Sequence, residues 1–281
     1  MIIATWNVNS LKARLTHVLD WLGEAKPDIV LLQELKLETD RFPAAEIEAA
    51  GYHAVAHGQK TYNGVAILAR APIRDVTRGL PGFDDDQARW IEGTVALGDR
   101  DIRVASLYLP NGQSVTSEKF PYKLRFLDAF EAHARTMLAD AARPAVIGGD
   151  FNIAPEAVDL YDPKGWAGDV LFHPEERRRY RAVLHQGWTD AFRALHAEAG
   201  RYSWWDYRAG MWQKDHGLRI DHLLLSPEAA DRLEASDIDR SPRGREKASD
   251  HTPVWVRLAD SMPAGAPYGP PDELIETAAA G

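Results

Sequence analysis

Five short stretches of this chain run from apolar residues into an acid, an amide or a histidine: residues 2–9, 29–34, 145–152, 218–222 and 248–251. They carry Asn7 and Asn9, Glu34, Asp150 and Asn152, Asp221, and Asp250 with His251. Short apolar runs bounded by turn residues read as buried strands. If such strands share one core and end on one rim, these polar side chains converge there. The rim would hold carboxylates, amides and one histidine, and no thiol. Hard oxygen donors of this kind suit Mg²⁺ or Mn²⁺, so the chemistry open to them is metal-assisted attack on phosphate.

Phosphodiester hydrolysis needs a cation on a non-bridging oxygen, an oriented water and a group that offsets developing charge. Glu34 is the best single metal ligand, with Asn9 and Asp250 as helpers. Asp150 is placed to orient or deprotonate the water. Asn7 and Asn152 can hold phosphate oxygens or fix Asp150 without adding negative charge. His251 would donate to a phosphate oxygen, and Asp221 would orient its ring and favour the protonated form. Each residue alone is weak evidence, because an acid at a strand end is usually solvated and an asparagine usually serves a turn. The weight lies in their joint occurrence in complementary roles.

The elements that must position them follow from pattern. Ser10 can cap a helix running to Ala25, with Leu11, Leu15, Val18, Leu19 and Leu22 on one face. Further strands are expected at 52–56, 64–69, 90–97, 102–109, 220–225 and 253–258. A second helix is expected from Ser117 to Ala141, with Pro121 in its first turn, where a missing N–H is tolerated. A third spans Pro174 to His185, and a shorter one follows Asp190. Strands with interspersed helices, repeated in the second half, suit an α/β layered domain of two sheets covered by helices. From Ala259 the composition turns to Ala, Gly and Pro. The expected organisation is one domain over 1–258 and a poorly ordered tail over 259–281,.

The bulk composition narrows the function classes. With 281 residues, 45 % of them hydrophobic, the chain can bury a substantial core,. There is no cysteine, which excludes disulfides, thiolate metal sites and cysteine nucleophiles,. The strand pattern entered at Ile2 leaves no room for a signal peptide, and no apolar run approaches the ~20 residues of a membrane span. A cytoplasmic, monomeric protein without membrane attachment is the expectation. A formal charge of −9 argues against a protein that coats nucleic acid non-specifically, while leaving room for a local basic face,.

Six blocks then carry a resemblance: residues 6–14 (WNVNSLKAR), 32–36 (LQELK), 108–112 (YLPNG), 148–152 (GGDFN), 218–224 (LRIDHLL) and 249–254 (SDHTPV). In this order the chain resembles the exonuclease III family of apurinic/apyrimidinic (AP) endonucleases, within the deoxyribonuclease I-like phosphoesterases. The resemblance covers about residues 1–258. It implies a four-layer α/β sandwich of two β-sheets flanked by helices, with the site at one end of the paired sheets. It implies Glu34 on the metal, Asn7, Asp150 and Asn152 around the attacking water, Asp221 paired with His251, and Asp250 near the metal. Tyr108 and Asn111 would face the scissile phosphate. Some relatives carry aspartate where this chain has Asn9; the neutral amide argues for one functional divalent ion.

That superfamily includes phosphatases of lipids and small molecules, so metal chemistry does not name the substrate. Two features favour duplex DNA bearing abasic sites. The first is basic residues near the rim: Lys12, Arg14, Lys123 and Arg125, and the run Arg177-Arg178-Arg179 with Arg181, from which Lys123 and Arg177 are taken as DNA contacts. The second is the Trp-rich stretch 202–214. Trp204 and Trp205 alternate like a strand, at least one of them in the core, and Trp212 reads as a loop residue. In the resembling family this loop helps form a pocket for an extrahelical, base-less sugar, with Leu218 and Ile220 as apolar walls. The resemblance implies cleavage 5′ to an abasic site, with 3′→5′ exonuclease and 3′-end-cleaning activity. The competing readings are a phosphatase for a small phosphorylated molecule and an inactive DNA-damage binding module.

Overall fold

The computed structural model describes residues 1–97, 100–139 and 143–260. Two six-stranded sheets pack face to face. The first runs in the order β11 (Leu233–Ile238), β12 (Val254–Leu258), β1 (Ile2–Asn7), β2 (Ile29–Gln33), β4 (Val65–Ala69) and β3 (His53–His57). The second runs β5 (Ile73–Arg78), β6 (Trp90–Leu97), β7 (Arg100–Tyr108), β8 (Ala145–Asp150), β10 (Asp221–Leu225) and β9 (Thr189–Asp190). In each sheet one central pair is parallel, β1 with β2 and β7 with β8, and the remaining pairs are antiparallel.

The central strands are buried on both faces, which is why they read as unbroken apolar runs rather than alternating ones. Ile3, Ile29, Leu31, Val65 and Ile67 of the first sheet meet Ile91, Val104, Val146 and Leu223 of the second. The intervening residues face helices. Trp6, Val30 and Leu32 pack against Leu11, Val18, Trp21 and Leu22 of α1 (Leu11–Ala25). In the second sheet Leu107, Ile147 and Leu224 lie under α3 (Lys119–Leu138) and α4 (Pro174–His185). The layering is therefore helix, sheet, sheet, helix, as expected. Short helices α2 (Ala44–Ala49), α5 (Ala191–Leu195), α6 (Met211–Lys214) and α7 (Pro227–Ala230) fill connections.

Ser10 caps α1 through its side chain, which accepts from the Ala13 amide. Pro121 lies in the first turn of α3, and α4 begins and ends as expected. The expected end of α3 at Ala141 lies outside the described residues, as does the tail beyond Asp260. Three strands were not anticipated: β5, β9 and β11. β5 and β11 are edge strands with mixed polar sequence, and β9 has two residues. The Trp204–Trp205 stretch forms isolated bridges to Leu218 and His251 rather than a strand. No helix among the described residues is long and apolar enough to cross a membrane.

The tightest fit is at β8. A Cβ on Gly149 would stand 1.9 Å from the Leu107 carbonyl oxygen, and one on Gly148 2.6 Å from Leu31 Cδ1. Glycine is needed there so that β8 can approach both its neighbour strand and the opposite sheet. A buried polar belt crosses between the sheets one step below the rim. Gln33 Nε2 donates to Thr5 Oγ1 at 3.0 Å and to Ser106 Oγ at 3.0 Å, and Ser106 Oγ donates to the Leu32 carbonyl at 2.9 Å. This belt links the sheets in one register.

Candidate active site

The five stretches do meet at one rim, by two routes. β1, β2, β7 and β8 deliver Asn7, Glu34, Tyr108 and Asp150 from their C-terminal ends. β10 is antiparallel to β8 and β12 to β1, so Asp221 and His251 reach the same rim from strand beginnings. The expectation that all the strands end there is corrected accordingly. Backbone strain concentrates at this edge. Asn9, Glu34, Lys36 and Asn152 have φ of 44°, 52°, 53° and 48°, a region that residues with a Cβ seldom adopt,.

The centre is a chain of hydrogen bonds across the seam between the sheets. Asn7 Nδ2 donates to Glu34 Oε1 at 3.0 Å and to Asp150 Oδ2 at 2.9 Å. Tyr108 donates its hydroxyl to Glu34 Oε1 at 2.8 Å. Asp150 Oδ1 accepts from the Asn152 amide at 2.8 Å. His251 Nδ1 donates to Asp221 at 2.9 Å, and its Nε2 stands 3.7 Å from Asp150 Oδ2. Asp221 is itself held by Ser203, whose hydroxyl donates to Oδ2 at 2.6 Å. Ser249 Oγ donates to the Asn7 carbonyl and accepts from the His251 amide, tying β1 to the turn before β12. Sequence reasoning missed Ser203 and Ser249. The only signal for either was its adjacency to Trp204 or Asp250.

Burial and charge tune these groups in opposite directions. Burial would lower the His251 ring, but the Asp221 carboxylate, with Asp150 behind it, raises it from 6.5 to about 10,. The ring is therefore an imidazolium at neutral pH. Burial raises Asp150 to about 7, opposed by His251 and reinforced by Asp221 and Glu34. Burial also works to raise Glu34, but the Lys36 ammonium and the Asn7 bond outweigh it and hold that carboxyl below its ordinary value. Burial pushes the Tyr108 hydroxyl well up, aided by the Glu34 charge, so it remains a donor.

Among the described residues, Glu34, Asp150 and His251 form a group whose ligand atoms lie within 4.8 Å of one another. With the ring protonated and its Nδ1 engaged, the ligand set reduces to carboxylate oxygens. That set fits a hard divalent cation. The expected helpers behave differently. Asn9 Nδ2 donates to Asp250 Oδ1 at 2.9 Å, and Trp204 Nε1 donates to Asp250 Oδ2 at 3.0 Å. Asn9 Oδ1 accepts from Lys36 Nζ at 2.5 Å. Asn9 and Asp250 thus bond to each other beside the carboxylate group, and Lys36, not singled out from sequence, sits between Asn9 and Glu34.

The loops bearing Asn111 and Asn152 are clamped from below. Asn111 Nδ2 donates to Asn152 Oδ1 at 3.0 Å, and Asn152 Nδ2 to the Leu109 carbonyl at 2.9 Å. Lys123 is fully buried, and its ammonium bonds the Asn111 and Asn152 carbonyls and pairs with buried Glu176 at 2.7 Å. It cannot touch DNA directly, which corrects that expectation. Deeper still, Arg219 pairs with Asp159 and Asp190 and donates to His222 Nδ1. His222 Nε2 donates to the Ile153 carbonyl, and burial with the Arg219 charge lowers the ring to about 4.

Two cavities meet at the rim. One, about 480 Å³, is lined by Glu34, Tyr108, Asn111, Asp150 and His251, with apolar walls from Trp166, Leu171, Trp204 and Ile220. The other, about 690 Å³, shares Glu34, Tyr108 and Asn111 and adds Lys36, Arg89, Lys119, Tyr62 and Tyr122. Trp212 lines neither. It lies in α6 rather than a loop, edge-on to Trp205 at 4.8 Å and between Arg240 and Arg243. Leu218 is fully buried behind Ile220. Arg177 donates to the Pro155 carbonyl, pairs with Glu156 and covers Phe172, outside both cavities. Its neighbours Arg178, Arg179 and Arg181 pair with Glu175, Asp128 and Glu156. The arginine run is thus tied into its own ion pairs, and the cavity cations come from elsewhere in the sequence.

A layered sandwich with this rim defines a class of phosphoesterases, and comparison places the chain in it. The chain belongs to the Endonuclease/Exonuclease/phosphatase family, whose profile matches residues 4–251. It is 35 % identical over 268 residues to the exodeoxyribonuclease III of Haemophilus influenzae, covering 92 % of this chain and 100 % of that protein. Its fold superposes on the 3′ phosphatase NExo from Neisseria, solved with a product DNA hairpin, with a TM-score of 0.87 and 42 % identity over 92 % of this chain and 99 % of that one. An AP endonuclease from Archaeoglobus fulgidus gives the same TM-score at 38 % identity, with 92 % and 99 % covered. The fold is the deoxyribonuclease I-like sandwich that the six blocks implied.

Proposed function

We propose that this protein is a DNA repair nuclease that hydrolyses the phosphodiester 5′ to an abasic site in duplex DNA. The same centre would remove 3′-terminal nucleotides and 3′-blocking phosphates. The observation that carries the reading is the convergence of Glu34, Asp150 and the Asp221–His251 pair at one cavity, part of whose wall is the apolar group Trp166, Leu171, Trp204 and Ile220. The names of the relatives support it: an exodeoxyribonuclease III, a 3′ phosphatase and an AP endonuclease.

Asp150 is the group to accept the proton of the attacking water. Its two oxygens are each fixed by one donor, Asn7 Nδ2 and the Asn152 amide, so its free lone pairs keep one direction,. As the water oxygen bonds to phosphorus, the bond to the upstream O3′ breaks; the departing O3′ takes a proton from solvent to become the 3′-hydroxyl, and the abasic sugar keeps a 5′-phosphate. His251, protonated and held by Asp221, donates to a phosphate oxygen as charge builds. Asn111 keeps one amide hydrogen free for the phosphate, and Tyr108 fixes Glu34. A single Mg²⁺, or Mn²⁺, held by Glu34 and facing Asp150, would neutralise charge on a non-bridging oxygen.

Selection would come from the apolar wall. Trp166, Leu171, Trp204 and Ile220 offer an apolar face to a bare deoxyribose, while Asp169, Asp206 and Arg208 line the rest of the cavity,. Flipping costs least where pairing is already lost. The protein is read as a monomer acting on the duplex through Lys36, Arg89 and Lys119, which line the adjoining cavity. The deciding assay is a gel of duplex DNA with one abasic site, with divalent ion and with EDTA, reading the cleaved ends. Metal-dependent incision 5′ to the site is expected. Hydrolysis of phosphoinositides without DNA incision would overturn the reading, as would DNA retention without scission.

A further inference from the structure

We propose that Lys36 is a tethered counter-cation that stands on the ion-binding oxygen of Glu34, yields it to the divalent ion, and so couples ion binding to binding of the DNA backbone. This rests on the reading that Glu34 is the principal ion ligand. The Lys36 ammonium lies 2.8 Å from Glu34 Oε2 and 2.5 Å from Asn9 Oδ1, bridging two side chains whose oxygens could serve an ion. Glu34 Oε1 already accepts from Asn7 and Tyr108. Oε2 is therefore the oxygen left for a cation, and the ammonium covers it. An ammonium and a divalent ion repel too strongly to share that oxygen.

Lys36 also has somewhere to go. Its Cα is fixed, since its amide donates to the Asn63 carbonyl at 2.9 Å. Its side chain is 29 % exposed, on a flexible four-carbon stem,. It forms the ridge between the cavity holding Arg89 and Lys119 and a neighbouring one, about 450 Å³, holding Lys12, Arg41 and Lys60. Glu38, paired with Arg41, and Glu46 line the second cavity too, so the cations free to meet a backbone phosphate are Arg89, Lys119, Lys12 and Lys60, and such a phosphate offers the displaced ammonium a second partner. DNA would then tighten ion binding by drawing Lys36 off Glu34, and by linkage the ion would tighten DNA binding.

The test reads Mn²⁺ binding directly, by the electron paramagnetic resonance of free Mn²⁺, on the full chain. Wild type, Lys36→Met, Lys36→Arg, Lys12→Met and Glu34→Gln are each measured alone and with a duplex whose abasic analogue carries a non-hydrolysable phosphorothioate. Without DNA, Lys36→Met should bind Mn²⁺ roughly ten- to a hundred-fold tighter than wild type, the effect of freeing one charge-assisted bond. Lys36→Arg, which keeps the charge, should bind no tighter than wild type. Lys12→Met should stay within about two-fold, because its charge is screened. DNA should tighten Mn²⁺ by a larger factor in wild type than in Lys36→Met. Unchanged or weaker binding by Lys36→Met, or an equal shift in Lys12→Met, overturns the inference while loss of binding in Glu34→Gln leaves the ligand reading standing. Wild-type binding by Glu34→Gln would instead remove the ligand reading itself.

Discussion

Replacing Asp221 by asparagine should expose how much of the chemistry depends on one buried ion pair. His251 sits at about 10 against an ordinary 6.5, and Asp221, 2.9 Å from Nδ1, is the largest cause opposing burial. At ~1.4 kcal/mol for each tenfold change, that favours the imidazolium by roughly 5 kcal/mol. In the variant the largest counterweight to burial is gone, leaving Asp150 and Asp250 to oppose it, and the ring is expected to lose its proton well below the wild-type value. The charge that meets the developing phosphate oxyanion is then missing, and kcat should fall by about 10²- to 10³-fold. The assay is kcat/KM against pH from 6 to 9.5 on abasic duplex with saturating Mg²⁺. Wild type should rise only where Asp150 loses its proton, below the value of about 7 it has without metal because a divalent ion facing it favours the carboxylate, and then hold a plateau to the alkaline end,. The variant should lose activity as pH rises across this range, because its ring loses its proton well before the wild-type ring does. Stability follows the same sign. A raised histidine contributes fully below its unfolded value of 6.5 and fades as pH climbs toward 10, so Asp221→Asn should be most destabilising at acid to neutral pH,. A variant with the wild-type alkaline plateau would refute the role given to the Asp221–His251 pair.

The clamp under the loops gives a second expectation. Lys123→Met strands Glu176 as a buried carboxylate and should lower stability in urea by about 3–5 kcal/mol, with partial recovery in Lys123→Met/Glu176→Leu,. Equal unfolding midpoints for wild type and Lys123→Met would remove the clamp from the account. The apolar wall gives a third. Trp204→Ala should lower the ratio of cleavage at abasic over intact duplex, whereas Trp212→Ala, outside the cavity, should cost stability and leave the ratio unchanged. A ratio that moves only with Trp212 would reverse that assignment.

Much of the centre was legible because strands buried on both faces advertise themselves as apolar runs, and the rim residues interrupt those runs abruptly. Glu34, Asp150 and His251 could be named from that break alone. Strand direction could not, since a run such as Leu218–Ile220 before Asp221 reads the same whether its acid begins or ends a strand. β5 and β11 escaped notice because an edge strand keeps polar residues on its open side. The fate of lysines and arginines was the least legible. Lys123 lies on a helix that looks amphipathic, and only its meeting with Glu176 on another helix reveals that it is interior. Arg177 and its neighbours look like a basic face until Glu156, Glu175 and Asp128 are seen beside them. Trp212 went astray for a related reason: two arginines far along the chain, Arg240 and Arg243, claim its ring.

The Gln33–Thr5–Ser106 belt has a bearing on how activity can be lost. Asn7, Glu34 and His251 belong to one slab of the molecule and Tyr108, Asp150 and Asp221 to the other, so neither slab owns a working set. A slip of the slabs by a fraction of an ångström would stretch the Asn7–Asp150 and Asp221–His251 contacts together while leaving each slab intact. Turnover is thus a ruler laid across the join, and a Gln33→Leu protein should fade as a catalyst well before any spectroscopic sign of unfolding.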